Sequence, residues 1–220
     1  MGNRWNLNRR EEREDWLMSY ADMLTLLLAF FVLLLSMSKI DVSRYETVGS
    51  GLAKELGKHE SDQPLQTLHT KLGELLKGLK LNDTQISLGN DNRGLVLELD
   101  GATFFDPKSA TLKADELPPL IKMAALLNGR RYSAFQVEVE GHTDDTPVST
   151  PQYPSNWELS AARASAVVRL FIAHGLNPTR LTAAGMADTR PKVPNRDAEG
   201  HPLPINQAIN RRVTIHIIPR

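Results

Sequence analysis

The sequence predicts a single transmembrane helix followed by an α+β domain, in which helices pack on one face of a mixed β-sheet. One long apolar segment interrupts an otherwise polar chain of 220 residues, and strand-like and helix-like patterns alternate in its second half. The chain has no cysteine and a formal net charge of zero. Disulfides and thiol-ligated metals are therefore excluded, and the charge gives no indication of a nucleic-acid partner.

The apolar segment covers residues 17–37 and predicts a transmembrane helix. Its 21 residues would extend about 31 Å as a helix, which spans a hydrocarbon core of about 30 Å. Trp16 and Tyr20 stand at one end, where aromatic rings favour the membrane interface. A cleaved signal peptide is the competing interpretation, because residues 36–38 form a small-x-small site. The preceding arginines are balanced by acidic residues, so we favour a retained anchor.

One face of this helix is small or polar, and it includes a carboxylate. A charged aspartate at the centre of a membrane helix costs about 2.5–3.5 kcal/mol. Asp22 is nearer an end, so its cost is lower, but it is still expected to face protein and not lipid. Such a group can take up and release a proton or hold a small cation. The alternative is an aspartate near a helix end that reaches the lipid headgroups. The residues of this face are Ser19, Asp22, Thr25, Ala29 and Ser36.

The sequence WLMSYADMLT at residues 16–25, followed by Ala-Phe-Phe at 29–31, resembles the membrane helix of the flagellar stator B subunits, the MotB and PomB family. The resemblance implies that Asp22 is the ion-carrying residue, and Thr25 could add an oxygen to a sodium site. It also implies a homodimer inside a ring of multi-pass stator A subunits. The transported ion would be H⁺ or Na⁺, with no other cofactor.

Two amphipathic segments follow the membrane helix. The first has apolar residues at helical spacing, and it resembles the plug that blocks ion flow in stator B subunits; a plain linker helix is the alternative. The second, residues 65–81, is predicted either to pair with its copy in a dimer or to cover the next domain. The plug residues are Val42, Tyr45, Val48 and Leu52.

The C-terminal domain is predicted from strands that alternate with period two and from two helices. The strands lie near residues 95–100, 136–140 and 213–218, each with one buried face, and a short strand is expected at 181–184. The helices cover about 114–128 and 157–174, with Asn156 as N-cap of the second. Residues 186–206 are expected to form a long loop.

Polar motifs stand at the ends of these elements. Asp144 follows a strand and Arg163 lies one turn into a helix. The pair could bracket a ligand that has both an ammonium and a carboxylate, or it could be a surface ion pair worth about 0–1 kcal/mol. A metal or hydrolase site at His142 lacks a second histidine or glutamate at suitable spacing. We therefore do not expect an enzyme.

The motifs GHTDD at 141–145, NWELSAARA at 156–164 and NRRV at 210–213 resemble those of the OmpA-like peptidoglycan-binding domain. In that family the matching aspartate and arginine, here Asp144 and Arg163, hold the diaminopimelate of the wall peptide. Thr143, Asn156 and Arg211 match positions that line the pocket. The longer, proline-containing loop at residues 146–154 departs from many members of the family.

Together these features predict a stator subunit that couples cation flow through the inner membrane of a diderm bacterium to flagellar rotation. A stator-like subunit of an antiphage defence system and a passive membrane-to-wall tether are the alternatives. The predicted organisation is a cytoplasmic segment at 1–16, a transmembrane helix at 17–37, a plug-like segment at 38–57, a periplasmic linker and helix at 58–92, and an OmpA-like domain at 93–220.

Overall fold

The computed structural model describes residues 5–37, 64–79, 81–82 and 84–219. Contacts divide the chain into two units, Met1–Ile40 and Asp41–Arg220, which are taken separately below. The predicted plug residues Val42, Tyr45, Val48 and Leu52 lie outside the described residues.

The first unit is a helix, α1 (Trp5–Met37). Its portion Trp16–Ser36 has a mean hydropathy of 2.1 and no buried residue. Within the part of the chain that the structure describes, it is the one helix long and apolar enough to cross a membrane. It overlaps the segment 17–37 that the sequence predicts to span the membrane.

The second unit is a five-stranded mixed sheet with helices, as the sequence predicts. The strand order is β1-β2-β5-β3-β4. The β3–β4 pair is parallel, whereas the other three pairs are antiparallel. The elements in chain order are α2 (Pro64–Gly78), β1 (Ile86–Asn90), β2 (Leu95–Asp100), α3 (Gly101–Phe104), α4 (Leu117–Leu127), β3 (Gln136–Gly141), α5 (Asn156–Ala173), β4 (Leu181–Gly185), α6 (Pro204–Asn210) and β5 (Arg212–Ile218).

The core lies between one face of the sheet and the helices. Leu97, Val139 and Ile215, from β2, β3 and β5, are completely buried, because alternate side chains of a strand point to the same face. The leucines of α2 join this core, and α2 contacts both α4 and β1. Of the two roles predicted for this helix, covering the next domain is therefore the one observed. The buried leucines are Leu65, Leu68, Leu72 and Leu76.

Three elements were not predicted from the sequence: β1, α6 and the single-turn helix α3, which is capped by the Asp100 side chain. Strand β1 carries Gly89 and Asn90, which weaken the strand pattern, and it forms by pairing with β2. Helix α6 begins at Pro204, inside the segment predicted to be a loop. Proline is favoured at the first helical position, and buried Gln207 and Asn210 fix this short helix to the domain.

The N-cap predicted for α5 is wrong by one residue. The side chain of Ser155, and not that of Asn156, accepts the hydrogen bond from the Trp157 amide, at 3.2 Å. The Ser155 hydroxyl also donates to the Glu158 carboxylate at 2.5 Å, in the pattern of a capping box. Asn156 is already the first helical residue, and its side chain is used elsewhere.

The sheet face opposite the core is also partly buried, although one buried face was predicted for each strand. Glu140, Thr214 and His216 are only 4–7% exposed. Arg93 forms ion pairs with Glu138 and Glu140 across this face. These strands are therefore central, and their second face is polar.

Candidate functional site

A cavity of about 440 Å³ lies where β3 ends and β5 begins, beside α3 and the first turns of α5. Polar groups of both charges and apolar side chains share its wall. This mixture suits a ligand that carries charge on an aliphatic body. The lining residues are Gly101, Ala102, Phe105, Asp106, Pro107, Lys108, Thr143, Asp144, Thr146, Pro147, Val148, Leu159, Arg163 and Arg211.

Asp144 is the buried acid of the cavity, with 6% of its surface exposed. One carboxylate oxygen accepts a hydrogen bond from the Thr146 amide at 3.0 Å. The other pairs with the Arg211 guanidinium at 2.5 Å. The predicted partner Arg163 makes no direct ion pair with Asp144 among the described residues. Asp144 is thus held in place with its charge balanced by Arg211.

Arg163 is 5% exposed and projects from α5 into the same cavity. Its Nε donates to the Ser109 carbonyl at 2.9 Å, and its guanidinium lies 5.2 Å from the centroid of the Phe105 ring. Burial, and then the nearby charge of Arg211, lower the pKa of Arg163. The guanidinium uses only its Nε–H and one face in these contacts. Its remaining N–H groups can donate to a ligand carboxylate.

Arg211 reaches the cavity because the chain passes close to α3. The Gly101 amide donates to the Arg211 carbonyl at 2.8 Å. A Cβ atom at Gly101 would lie 2.7 Å from that carbonyl oxygen, so only glycine permits this approach. The Arg211 side chain is 38% exposed, so it forms the open rim of the cavity.

Two glycines let α5 pack closely against the ends of β3 and β4. A Cβ atom at Gly141 would lie 2.0 Å from the Ser160 carbonyl oxygen, and one at Gly185 would lie 2.7 Å from the Ala161 amide nitrogen. The hydroxyl of Ser160 also accepts a hydrogen bond from the Ala187 amide. This packing fixes the helix that carries Arg163 relative to the strand that leads to Asp144.

The structure brings Thr143, Asp144, Arg163 and Arg211 together at the cavity, whereas Asn156 does not line it. The Asn156 amide nitrogen donates to the carbonyls of Asp144 and Thr146, so this residue holds the loop that carries the acid. The Thr143 hydroxyl is buried and has no hydrogen-bond partner among the described residues. Its hydrogen-bonding capacity is therefore unused within the described part of the domain.

The extended loop at 146–154 folds back onto the cavity wall. Tyr153 is buried, packs with Ala110 and Leu159, and its hydroxyl accepts a hydrogen bond from the Ala110 amide at 3.3 Å. Val148 packs against the same small cluster. The loop thus forms an apolar side of the cavity.

The structure separates the residues of the alternative metal or hydrolase site around His142. Asp145 pairs with Arg196 and accepts a hydrogen bond from Gln207, and these contacts, the Gln207 bond first, lower its pKa. His142 faces Glu140 on the other side of the sheet. Within the described ranges, one group has metal-ligand spacing, and it lies on an exposed loop outside the cavity: Asp197, Glu199 and His201.

The site residues that sequence reasoning missed include three in the stretch 104–110. Phe105 supports Arg163, the Ser109 carbonyl accepts from it, and Lys108 lines the cavity in a left-handed backbone conformation with φ of 54°. The stretch FFDPKSA at 104–110 contains an X-Pro turn signal that could have directed attention to it. The aromatic support for an arginine has no signature in sequence alone.

In α1, the two predicted ion-translocating residues stand one turn apart. The Thr25 hydroxyl donates to the Asp22 backbone carbonyl at 2.8 Å. The Asp22 carboxylate makes no hydrogen bond or ion pair with any described residue, and the side chains of 16–36 are exposed in the single chain. The Thr25 hydroxyl hydrogen is therefore already used within the helix, and the lone pairs of its oxygen are not.

Comparison with known proteins gives matches in both units. A family model described as "OmpA family" matches residues 104–203. A second, described as "Membrane MotB of proton-channel complex MotA/MotB", matches residues 6–56.

Similar proteins extend over most of the chain. The uncharacterized protein YtxE of Bacillus subtilis (strain 168) is 34% identical, over 94% of this chain and 89% of that protein. Motility protein B of the same bacterium is 28% identical, over 94% of this chain and 91% of that protein. The solved structure of the cell wall anchor of the T6SS from Pseudomonas aeruginosa is 33% identical with a TM-score of 0.56, and it covers 68% of this chain and 97% of that one. The chain therefore belongs to the MotB-like proteins and carries an OmpA-like domain in its C-terminal half.

Proposed function

We propose that this protein is a peptidoglycan-anchored stator subunit that couples H⁺ or Na⁺ flow through the bacterial inner membrane to rotation of the flagellar motor. It works as a homodimer with a multi-pass stator A subunit. Its N-terminus lies in the cytoplasm and its OmpA-like domain in the periplasm. One observation carries the proposal: a membrane-length helix with a carboxylate and a charged cavity of the OmpA-like domain occur in the same chain.

The cavity supports the anchoring half of the proposal. Asp144 offers a carboxylate to an ammonium group, and Arg163 offers guanidinium donors to a carboxylate. The ligand that we propose is the diaminopimelate of the wall peptide, which has both groups on an aliphatic chain. The apolar contribution of Phe105, Val148 and Leu159 suits that chain.

The helix supports the coupling half. Asp22 has no partner within its own chain among the described residues, and a carboxylate in a membrane is costly unless it faces protein or water. Protonation or cation binding at Asp22 would change its contacts with partner helices. Moving one charge across 100 mV releases about 2.3 kcal/mol, which is the energy available for this change.

Cosedimentation of the full-length protein with purified peptidoglycan tests the anchoring site. Asp144→Asn should weaken wall binding about 30-fold, because a charge-assisted contact is lost and Arg211 is left without its acid. Asp115→Asn alters an exposed acid that does not line the cavity and should bind like the wild type. Equal binding by the two variants would contradict the proposed site.

A second candidate function is a passive wall tether that serves another envelope machine. The similarity to a T6SS cell wall anchor favours it. The two candidates differ in whether Asp22 must ionise, because a tether needs only an apolar anchor.

A further inference from the structure

A second cavity, of about 420 Å³, lies on the sheet face that points away from the helical layer. Its floor is formed by side chains of the central strands β3 and β5, and its walls come from β1, β2 and the loop after β4. Three floor residues, His142, Thr214 and His216, are at most 7% exposed. This cavity shares no lining residue with the Asp144 cavity.

Four buried polar atoms at this cavity have no hydrogen-bond partner among the described residues. They are His142 Nδ1, Thr214 Oγ1, His216 Nε2 and Arg212 Nε. Buried polar atoms are normally paired in proteins, by protein, water or ligand. Four of them around one cavity indicate a surface built to bind polar groups.

Donors and acceptors face each other here at or beyond the longest distance for a direct hydrogen bond. Glu140 Oε2 lies 3.5 Å from His142 Nε2 and 3.7 Å from His216 Nε2. Glu98 Oε1 lies 3.9 Å from Arg212 Nε. A group that both accepts and donates can bridge such a pair from the side of the cavity. Hydroxyl groups do this, whereas a carboxylate, phosphate or ammonium supplies only one of the two functions.

The charges around the cavity balance. Three acidic and three basic side chains line it, and the pKa of His142 is lowered to about 4, first by burial and then by Arg212, so this ring is neutral at pH 7. Neither a strong anion nor a metal cation is favoured by this balance. The charged lining residues are Asp91, Glu98, Glu140, Arg190, Lys192 and Arg212.

The geometry points to a neutral saccharide as the ligand of this cavity, with sugar hydroxyls bridging the separated donor and acceptor pairs. Val96 gives the wall an apolar patch for the C–H face of a sugar ring. The source that we infer, which rests on the proposed function, is the amino-sugar strand of the same cell wall. The protein would then hold the wall at two places, by its peptide and by its glycan.

Ligand-observed saturation-transfer NMR on the full-length protein in lipid nanodiscs tests the inference, with tri-N-acetylglucosamine as the probe and empty nanodiscs as the blank. The wild type should transfer saturation to the sugar. Thr214→Val should weaken binding about tenfold, since one floor hydroxyl is lost, and Thr214→Ser should restore it. Thr182→Val, on an exposed position of β4, is the matched control and should bind like the wild type.

A diaminopimelate-containing tripeptide, titrated in parallel, separates this inference from the proposed function. Asp144→Asn should weaken peptide binding about 30-fold and leave sugar binding unchanged. Three outcomes would overturn the second site: no sugar binding by the wild type, sugar binding by Thr214→Val that is as strong as that of the wild type, or loss of sugar binding in Asp144→Asn. Absent peptide binding with normal sugar binding overturns the proposed peptide site and leaves this inference intact.

Discussion

The two units of the chain each present an aspartate, in opposite surroundings. Asp144 is buried and receives hydrogen bonds from Arg211 and from the Thr146 amide. Asp22 stands on an exposed helix, and no described residue of its own chain binds its carboxylate. One acid is fully accommodated by its own fold, whereas the other is not.

The different surroundings of Asp144 and Asp22 indicate that a single chain can bind the wall, whereas ion coupling needs other chains. The cavity at Asp144 is assembled by contacts that span the domain, so the isolated chain should already bind its ligand. The surroundings of Asp22 must come from other chains, because an unpaired carboxylate is unfavourable in a bilayer. Substitutions in α1 should therefore leave wall binding unchanged. Substitutions at the Asp144 cavity should weaken wall binding whether or not α1 is intact.

The largest expected effect on stability comes from Gly141→Ala. The added Cβ atom would lie 2.0 Å from the Ser160 carbonyl oxygen, so α5 must shift away from the sheet. We expect a loss of about 3 kcal/mol in the free energy of unfolding and a Tm about 10 °C lower. Thermal unfolding followed by circular dichroism checks this.

Gly73→Ala is the matched control for that substitution. A Cβ atom at Gly73 meets nothing within 4 Å, and the residue lies inside α2. Alanine there should stabilise the domain by about 0.5–1 kcal/mol, because it restricts the unfolded chain. Similar Tm values for the two variants would show that the close packing of α5 on β3 does not contribute to the stability of the domain.

Acid pH should weaken the domain through His142. The lowered pKa of this buried ring, about 4 in the folded state against about 6.5 when unfolded, means that the unfolded chain binds more protons between these values. Stability is therefore intact above pH 6.5 and falls by on the order of 3 kcal/mol towards pH 4. The lowered pKa of Asp145 acts at more acidic pH.

Denaturant unfolding at a series of pH values measures this slope. His142→Gln should remove most of the decline between pH 6.5 and 4. His201→Gln, at a side chain that is 75% exposed, should leave the decline unchanged. An identical slope in wild type and His142→Gln would rule out His142 as its source.

A smaller effect separates the observed helix cap from the predicted one. Ser155→Ala removes the bond to the Trp157 amide and should cost about 1 kcal/mol of unfolding free energy, with wall binding unchanged. Asn156→Ala should instead reduce wall binding, because the Asn156 amide holds the carbonyls of Asp144 and Thr146. Loss of wall binding in Ser155→Ala alone would reverse these two roles.

Sequence periodicity was sufficient to predict an element where burial of one set of apolar side chains alone decides its structure. The alternation at residues 95–100 and 213–218 predicts strands, and the uniform apolar run predicts the membrane-length part of α1. Periodicity was insufficient where strand pairing or tertiary contacts decide whether an element forms or a face is buried. Strand β1 has no pattern of its own, and the buried polar floor with Glu140 and His216 looks in sequence like a solvent-facing strand side.

The site shows the same division. Resemblance to a family selected Asp144, Arg163 and Arg211, and the structure brings all three to one cavity. It did not indicate that Arg211 would be the partner of Asp144, because their separation of 67 residues is closed only by the β3–β5 pairing. The support from Phe105 and the Ser109 carbonyl likewise depends on the folded loop.

The most direct test replaces Asp22 by Asn in the native host and measures swimming speed together with cosedimentation of the protein with isolated walls. A stator subunit whose cation-binding acid is lost should leave the cells non-motile, while the protein still cosediments with walls as the wild type does. Cells that carry Asp22→Asn and swim at wild-type speed would contradict ion coupling at this residue and leave a wall tether.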